Sequence, residues 1–397
     1  MSLSVLPLSY CTNVHPGTTV EAVINGLQQH TVPAQREYGK KLAAGLWLAA
    51  PVATKLLADR RQLTALRSTL SESGLTCHTL NAFPFGDFHS ERVKEQVYLP
   101  DWSQPERREF TWNCARILSE LLPSGTEGSL STVPLGFKGF SHPADFQAQC
   151  IDSLLKLAED LDQLHDETGQ VIRLAIEPEP CCVLETTAET LAFFSALFAE
   201  ADTRNCGDIA RRHLGVCYDI CHQAVEFENL PDSIRALEAA EVRINKVHIT
   251  CAIHLDQPAR HRDALQQLAR FVEPRYLHQT FARSSTGEIK SVPDLTRELC
   301  ESPSGDFQTA DSWRVHFHVP VHQEELGLLG TTRRELLPAL TAIASLLYAP
   351  HLEVETYTWG VLPGEAPAPL AHGIARELTA TSELLSQVIS RSRNGDR

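Results

Sequence analysis

Arg212 to His222 reads RHLGVCYDICH, and the rest of the chain is best read outward from it. Leu214, Val216 and Tyr218 alternate with Gly215, Cys217 and Asp219, the period of a β-strand. One face is bulky and apolar, as a strand needs beneath a covering helix. The other is small until it reaches a carboxylate at the strand's C-terminal end, where α/β proteins bind their ligands. His222 follows three residues later. A carboxylate and an imidazole this close can hold a metal, or a metal and its substrate. The plainer reading is a capping Asp and a partly exposed loop His, so the other strands have to decide.

Those strands recur along the chain. Apolar or alternating runs predict strands at Val5 to Cys11, Gly45 to Ala49, Leu75 to Asn81, Leu130 to Leu135, Val171 to Glu177, Arg243 to Thr250, Trp313 to Val319 and His351 to Thr356. Helical patterns lie between most of them, the clearest being the amphipathic run from Pro143 to His165. Strand and helix in regular succession argue for a parallel α/β fold. With Leu214 to Asp219 there is one strand more than a (β/α)8 barrel needs. No glycine-rich phosphate loop follows the first strand, which weakens an open dinucleotide-binding sheet. The expectation is a TIM (β/α)8 barrel over residues 1–389, with an insertion at 274–311, where Gly, Pro, Ser and Asp crowd together. Either Arg243 to Thr250 or Trp313 to Val319 then belongs to the inserted element. Residues 390–397 are expected to be a flexible tail.

Composition limits the function. The 397 residues carry a net charge of -15, which disfavours a nucleic-acid backbone as partner. The N-terminal MSLSVLPLSYC lacks the basic and apolar regions of a signal peptide, and no apolar run is long enough to span a membrane. Eleven cysteines without a zinc or disulfide spacing read as reduced core residues. A cytoplasmic location and a small-molecule partner are expected.

The polar strand ends carry the chemistry. Glu177, Asp219, His248, His316, His318, Glu353 and Glu355 all fall at or near C-terminal ends of expected strands. In a barrel those ends meet at one mouth. Charge placed there is costly unless paired, solvated or coordinated. Two glutamates, an aspartate and a histidine make a site for a divalent metal ion: Mn, Mg, Co or Zn. Glutamates on opposite sides of the mouth can move protons on two faces of an α-hydroxy-carbonyl compound, whose enediolate the metal stabilises. His316, His318, Glu355, Tyr357, Trp359 and the strand-end Asn81 are candidate substrate contacts. Glu179 rivals Glu177, His248 could be a core histidine, and Tyr357 and Trp359 could simply pack the rim. The aromatic YLPDW segment near residue 100 suggests a loop folded over a pocket.

This pattern resembles the xylose-isomerase-like TIM barrels, a superfamily of metal-dependent sugar isomerases and epimerases. The resemblance implies a metal held by Glu177 (in LAIEPEP), Asp219 (in GVCYDICH), His248 and Glu353, or Glu355 if the register is one step later. It implies His222 near the substrate, and Glu177 and Glu353 as the proton-transfer pair. More closely, GLWLAAP, TLNAFPFGDFHSERVKEQVYLPDW, HFHVP and HLEVETYTWGVLP are similar to the EboE family of metabolite traffic proteins. That family is assigned to the same barrel and belongs to a bacterial gene cluster linked to a prenylated or secondary metabolite. The long His-rich segment between His248 and Glu353 departs from the isomerase pattern and makes His318 a rival to His248 for the metal. The expected function is a metal-dependent isomerase or epimerase acting on a small polyhydroxy or sugar-like metabolite, with partners from the same cluster. The alternatives are a non-catalytic metabolite-binding protein and a metal-dependent phosphoester hydrolase.

Overall fold

The computed structural model describes residues 3–364 and 369–395. Seven wall strands come first: β1 Ser9–Cys11, β2 Ala43–Trp47, β3 Thr79–Asn81, β4 Gly128–Thr132, β5 Ile172–Ile176, β6 Leu214–Asp219 and β7 Ile244–Ile249. An inserted group follows: β8 Cys251–Asp256, β9 Thr280–Arg283, β10 Ile289–Val292, β11 Ser312–Val319, β12 Glu325–Leu326 and β13 Leu329–Thr331. The last wall strand, β14 His351–Val354, pairs in parallel with both β7 and β1 and closes an eight-stranded barrel. The chain thus has the expected xylose-isomerase-like (β/α)8 fold, with helices around a parallel barrel.

Both faces of the wall are covered, so its strands are buried, Arg173 on β5 apart, instead of showing a wet side. In β6 every residue is buried. The glycine on its inner face is required there: a Cβ on Gly215 would lie 2.2 Å from Arg243 O, just before β7. The helix Phe146–Thr168 buries Ile151, Leu154, Leu155, Leu161 and Leu164 against the wall and ends on left-handed Gly169. Thr186 and Glu189 form a capping box that starts the next helix, Thr187–Thr203, ten residues beyond the end of β5.

Three expectations change. The first strand is only Ser9–Cys11. Pro7 lacks a donor for the ladder and Val5 is fully exposed. The inserted element is wider than residues 274–311: an antiparallel sheet in the order β10-β9-β11-β8-β13-β12 runs from Cys251 to Thr331. Its central strands β8 and β11 are almost wholly buried, so in sequence they look like wall strands. The strand WRVHFHV therefore belongs to the insert, and RINKVHIT to the wall. Finally, the last helix, Leu370–Gly395, continues through the start of the expected tail, and residues 396–397 lie outside the described part.

All eleven cysteines are free thiols and all but Cys181 are buried. Among the described residues no helix is long and apolar enough to cross a membrane.

Candidate metal centre

Parallel strands deliver their C-terminal residues to one end of the barrel. Register sets the neighbours: Asp219 on β6 pairs with His248 on β7, and His248 pairs with Glu353 on β14. Glu177 follows β5 directly and its backbone N–H is held by Thr132 O at 3.0 Å. Glu355 lies just beyond β14.

Glu177, Asp219, His248 and Glu355 each offer a donor atom within 4.8 Å of the others. All four are buried. His248 Nδ1 stands 2.8 Å from Glu177 Oε1, 2.9 Å from Glu355 Oε2 and 3.7 Å from Asp219 Oδ2. Three carboxylates around one imidazole leave excess negative charge in a shielded place, which is costly without a cation. Two of their oxygens, Glu177 Oε2 and Asp219 Oδ2, have no hydrogen-bond partner among the described residues. The oxygen-rich donor set with one nitrogen suits a divalent ion. On these grounds the residues fit the metal that the fold suggests.

Asp219 combines the two roles that the sequence left open. Its Oδ1 caps the short helix Ile220–Val225 by accepting from Cys221 N at 2.6 Å and His222 N at 3.1 Å. Its Oδ2 is left to face the cluster. Glu355 is fixed by two amides, with Asn13 Nδ2 donating to Oε1 at 2.8 Å and Asn81 Nδ2 at 2.7 Å.

Glu353 sits elsewhere. Lys246 Nζ lies 2.6 Å from its Oε1, and Ser9 Oγ donates to its Oε2 at 2.7 Å. Its Oε1 is also 3.2 Å from His248 Nε2. Glu353 therefore grips the far nitrogen of the ring whose Nδ1 faces the three carboxylates. A carboxylate behind a ligating histidine orients the ring and raises its basicity.

Electrostatics follow from this layout. Burial raises the Glu177 carboxyl, His248 only partly offsets it, and the net is a shift up to about 7. Burial also opposes ionisation of Asp219, but His222, His248 and His318 outweigh it and hold the carboxyl below its usual range. For Glu353 burial is likewise overcome, chiefly by Lys246. Burial would lower His248, yet Cys217, Glu177 and Glu355 win and favour its protonated form. A proton on His248 thus partly plays the part of a cation at this point.

Above the cluster lies a cavity of about 50 Å³ lined by Asn81, Tyr98, Glu177, Glu179, His222, His316, His318, Glu355 and Tyr357, among others. Its roof is aromatic: Phe88, Tyr276 and Tyr357 meet with ring centroids 4.9–5.2 Å apart. Lys94, from the loop after β3, ties that loop to the insert through Tyr276 O at 2.7 Å and Asp294 Oδ2 at 2.6 Å. Of the expected substrate contacts, Asn81, His316, His318, Glu355 and Tyr357 line this cavity. Trp359 does not. Its Nε1 donates to Glu377 Oε2 at 3.0 Å, and its ring packs on Gly373 of the last helix. The plain reading of Trp359 as packing is the one the structure gives.

Sequence reasoning passed over Lys246 and Ser9, and left Glu179 as a mere rival. Lys246 stands two residues before His248, so strand alternation puts both on the inner face. Glu179 accepts from Tyr98 Oη at 2.7 Å, linking the YLPDW segment to the pocket. Burial, foremost, raises its carboxyl well above the usual range.

The fold and this cluster define a xylose-isomerase-like barrel with a candidate divalent-metal centre. Solved structures with the same fold include a xylose isomerase-like TIM barrel protein from Mycobacterium smegmatis in complex with magnesium, at 12% identity and TM-score 0.51, covering 97% of this chain and 99% of that one. A D-tagatose 3-epimerase-like protein matches at 11% identity and TM-score 0.50, over 98% of this chain and all of that one. An IOLI protein with a bound zinc atom matches at 12% identity and TM-score 0.50, over 96% and 99%. No family model and no curated protein matches the chain.

Proposed function

We propose that the protein is a metal-dependent isomerase or epimerase acting on a small polyhydroxy or sugar-like metabolite. The observation that carries this reading is the convergence of Glu177, Asp219, His248 and Glu355 on one point beneath a small pocket. We assign the metal to these four, with Glu353 as the group that orients His248. A divalent ion bound there would polarise an α-hydroxy-carbonyl group and acidify the adjacent C–H. Glu177 and Glu355 both line the pocket and would take and return that proton. His222, His316, His318, Asn81 and Tyr357 would contact substrate hydroxyls. The neighbours with magnesium, with zinc and with an epimerase-like name support the reading at the level of fold. Membership of the EboE family, and with it a cytoplasmic role in a metabolite gene cluster, is part of the same proposal and rests on the sequence phrases quoted above.

The test is solvent exchange. Protein stripped of metal and reloaded with Mn²⁺, Mg²⁺, Co²⁺ or Zn²⁺ is incubated in D₂O with a panel of ketoses, aldoses and polyhydroxy acids. Deuterium should enter next to the carbonyl with wild type and not with Glu177→Gln or Glu355→Gln. Stoichiometric metal binding with no exchange across the panel would favour a binding protein instead.

A further inference from the structure

Strand β11 of the inserted sheet carries Arg314, His316 and His318 at alternate positions, the spacing that puts side chains on one face of a strand. All three meet the short helix Ile220–Val225. The rings of His316 and His318 lie 4.6 and 5.6 Å from that of His222, centroid to centroid. Arg314 reaches the helix's other end, where its Nη1 donates to Ala224 O. The same carbonyl accepts from Phe227 N at 3.0 Å, in the turn that ends the helix.

Six residues make less than two turns, and so short a helix has little stability of its own. The turn that follows is unfavourable as well. Phe227 has φ +58°, a left-handed conformation that a bulky residue rarely adopts. Two guanidinium groups hold it, Arg314 at 4.5 Å and Arg283 at 4.4 Å from the centre of the Phe227 ring. Arg314 is buried and is itself steadied, its Nη2 donating to Glu335 Oε1 at 2.8 Å and its Nε to His254 Nδ1 at 3.4 Å. A fixed positive group at a helix C-terminus also meets the negative end of the helix dipole. At the opposite end stands Asp219, whose Oδ1 is bound by the N–H groups of Cys221 and His222. Where this helix lies therefore decides where Asp219 Oδ2 points.

We propose that Arg314 is a positioning residue for the metal centre. From the inserted sheet it fixes the helix Ile220–Val225, and through that helix the aim of Asp219 Oδ2 and of His222. The inference rests on the metal reading above, and makes the insert the part of the chain that sets the geometry of one ligand.

Cobalt tests it, because the visible absorption of bound Co²⁺ reports the arrangement of its ligands. Metal-stripped protein is titrated with Co²⁺. Arg314→Ala should bind about tenfold more weakly than wild type, with shifted bands. Arg314→Lys keeps the charge but loses the planar fork, and should recover only part of the affinity. Arg333→Ala is the control: this arginine of the insert donates to Val321 O at 2.9 Å and to Glu324 Oε1 at 2.6 Å, not to the helix. It should leave affinity and spectrum as in wild type. Wild-type affinity and bands in Arg314→Ala, or an equal change in Arg333→Ala, would overturn the inference and leave the metal centre standing. If Arg314→Ala does not fold, Arg314→Lys decides: weaker binding with shifted bands supports the proposal, and wild-type values refute it. Wild-type protein that binds no Co²⁺ would sink the metal centre itself, and this inference with it.

Discussion

Lys246 and Glu353 form a 2.6 Å ion pair inside the barrel, with no exposed surface on either side chain. Removing one member strands the other's charge in a dry core. Lys246→Met should therefore destabilise the protein by about 3–5 kcal/mol, whereas Lys246→Met with Glu353→Leu should regain most of the loss. Urea denaturation with an unchanged m-value measures both. Equal stability of the single and double variants would mean that the pair is not coupled.

The same glutamate separates orienting from ligating. Held by Lys246, Ser9 and His248, Glu353 should affect metal only through the ring it steadies. Glu353→Gln is expected to weaken Mn²⁺ binding about 10- to 100-fold. Glu355→Gln should abolish binding at that site. Calorimetric titration distinguishes them, and complete loss with Glu353→Gln would make it a direct ligand.

Gly45 is the point where β2 makes room for that carboxylate. A Cβ there would lie 1.5 Å from Glu353 Oε2 and 2.8 Å from Ser9 Oγ. Gly45→Ala should cost about 1–3 kcal/mol by overpacking. Gly360→Ala, with nothing within 4 Å of the added atom, serves as the control. It should change stability by less than about 0.5 kcal/mol. Thermal melts of the two read the difference directly.

Acid should unfold the metal-free protein partly through His15. Both ring nitrogens lack partners among the described residues, and burial, aided by His30, pushes the imidazole down to about 4. The unfolded chain takes up this proton near pH 6.5, and the folded one not until about 4. Stability from this group is thus complete above 6.5 and is lost as pH falls toward 4, by on the order of 3 kcal/mol. Melts in chelator between pH 7 and 4 should show the decline, and His15→Leu should flatten it. An unaltered slope would exonerate His15.

The barrel was legible because its wall strands end in polar residues after apolar runs, as in GVCYDICH and VIRLAIE. The meeting of Glu177, Asp219 and His248 was legible for the same reason: each lies at or beside the C-terminal end of a strand. Choosing between Glu353 and Glu355 was beyond the sequence, because both share a face and only the position of Lys246 across β7 separates them. The insert misled for a physical reason. Its central strands are covered on both sides, so nothing in their pattern distinguishes them from wall strands. The packing role of Trp359 depends on a helix far along the chain, and no local signal shows it.

The aromatic roof has a kinetic consequence. A cavity of about 50 Å³ has room for a few water molecules, with Phe88, Tyr276 and Tyr357 along one side. A substrate larger than those waters is expected to enter as Phe88, Tyr276 and Tyr357 part. At high ligand concentration the observed association rate should level off at the frequency of that opening, instead of rising in proportion.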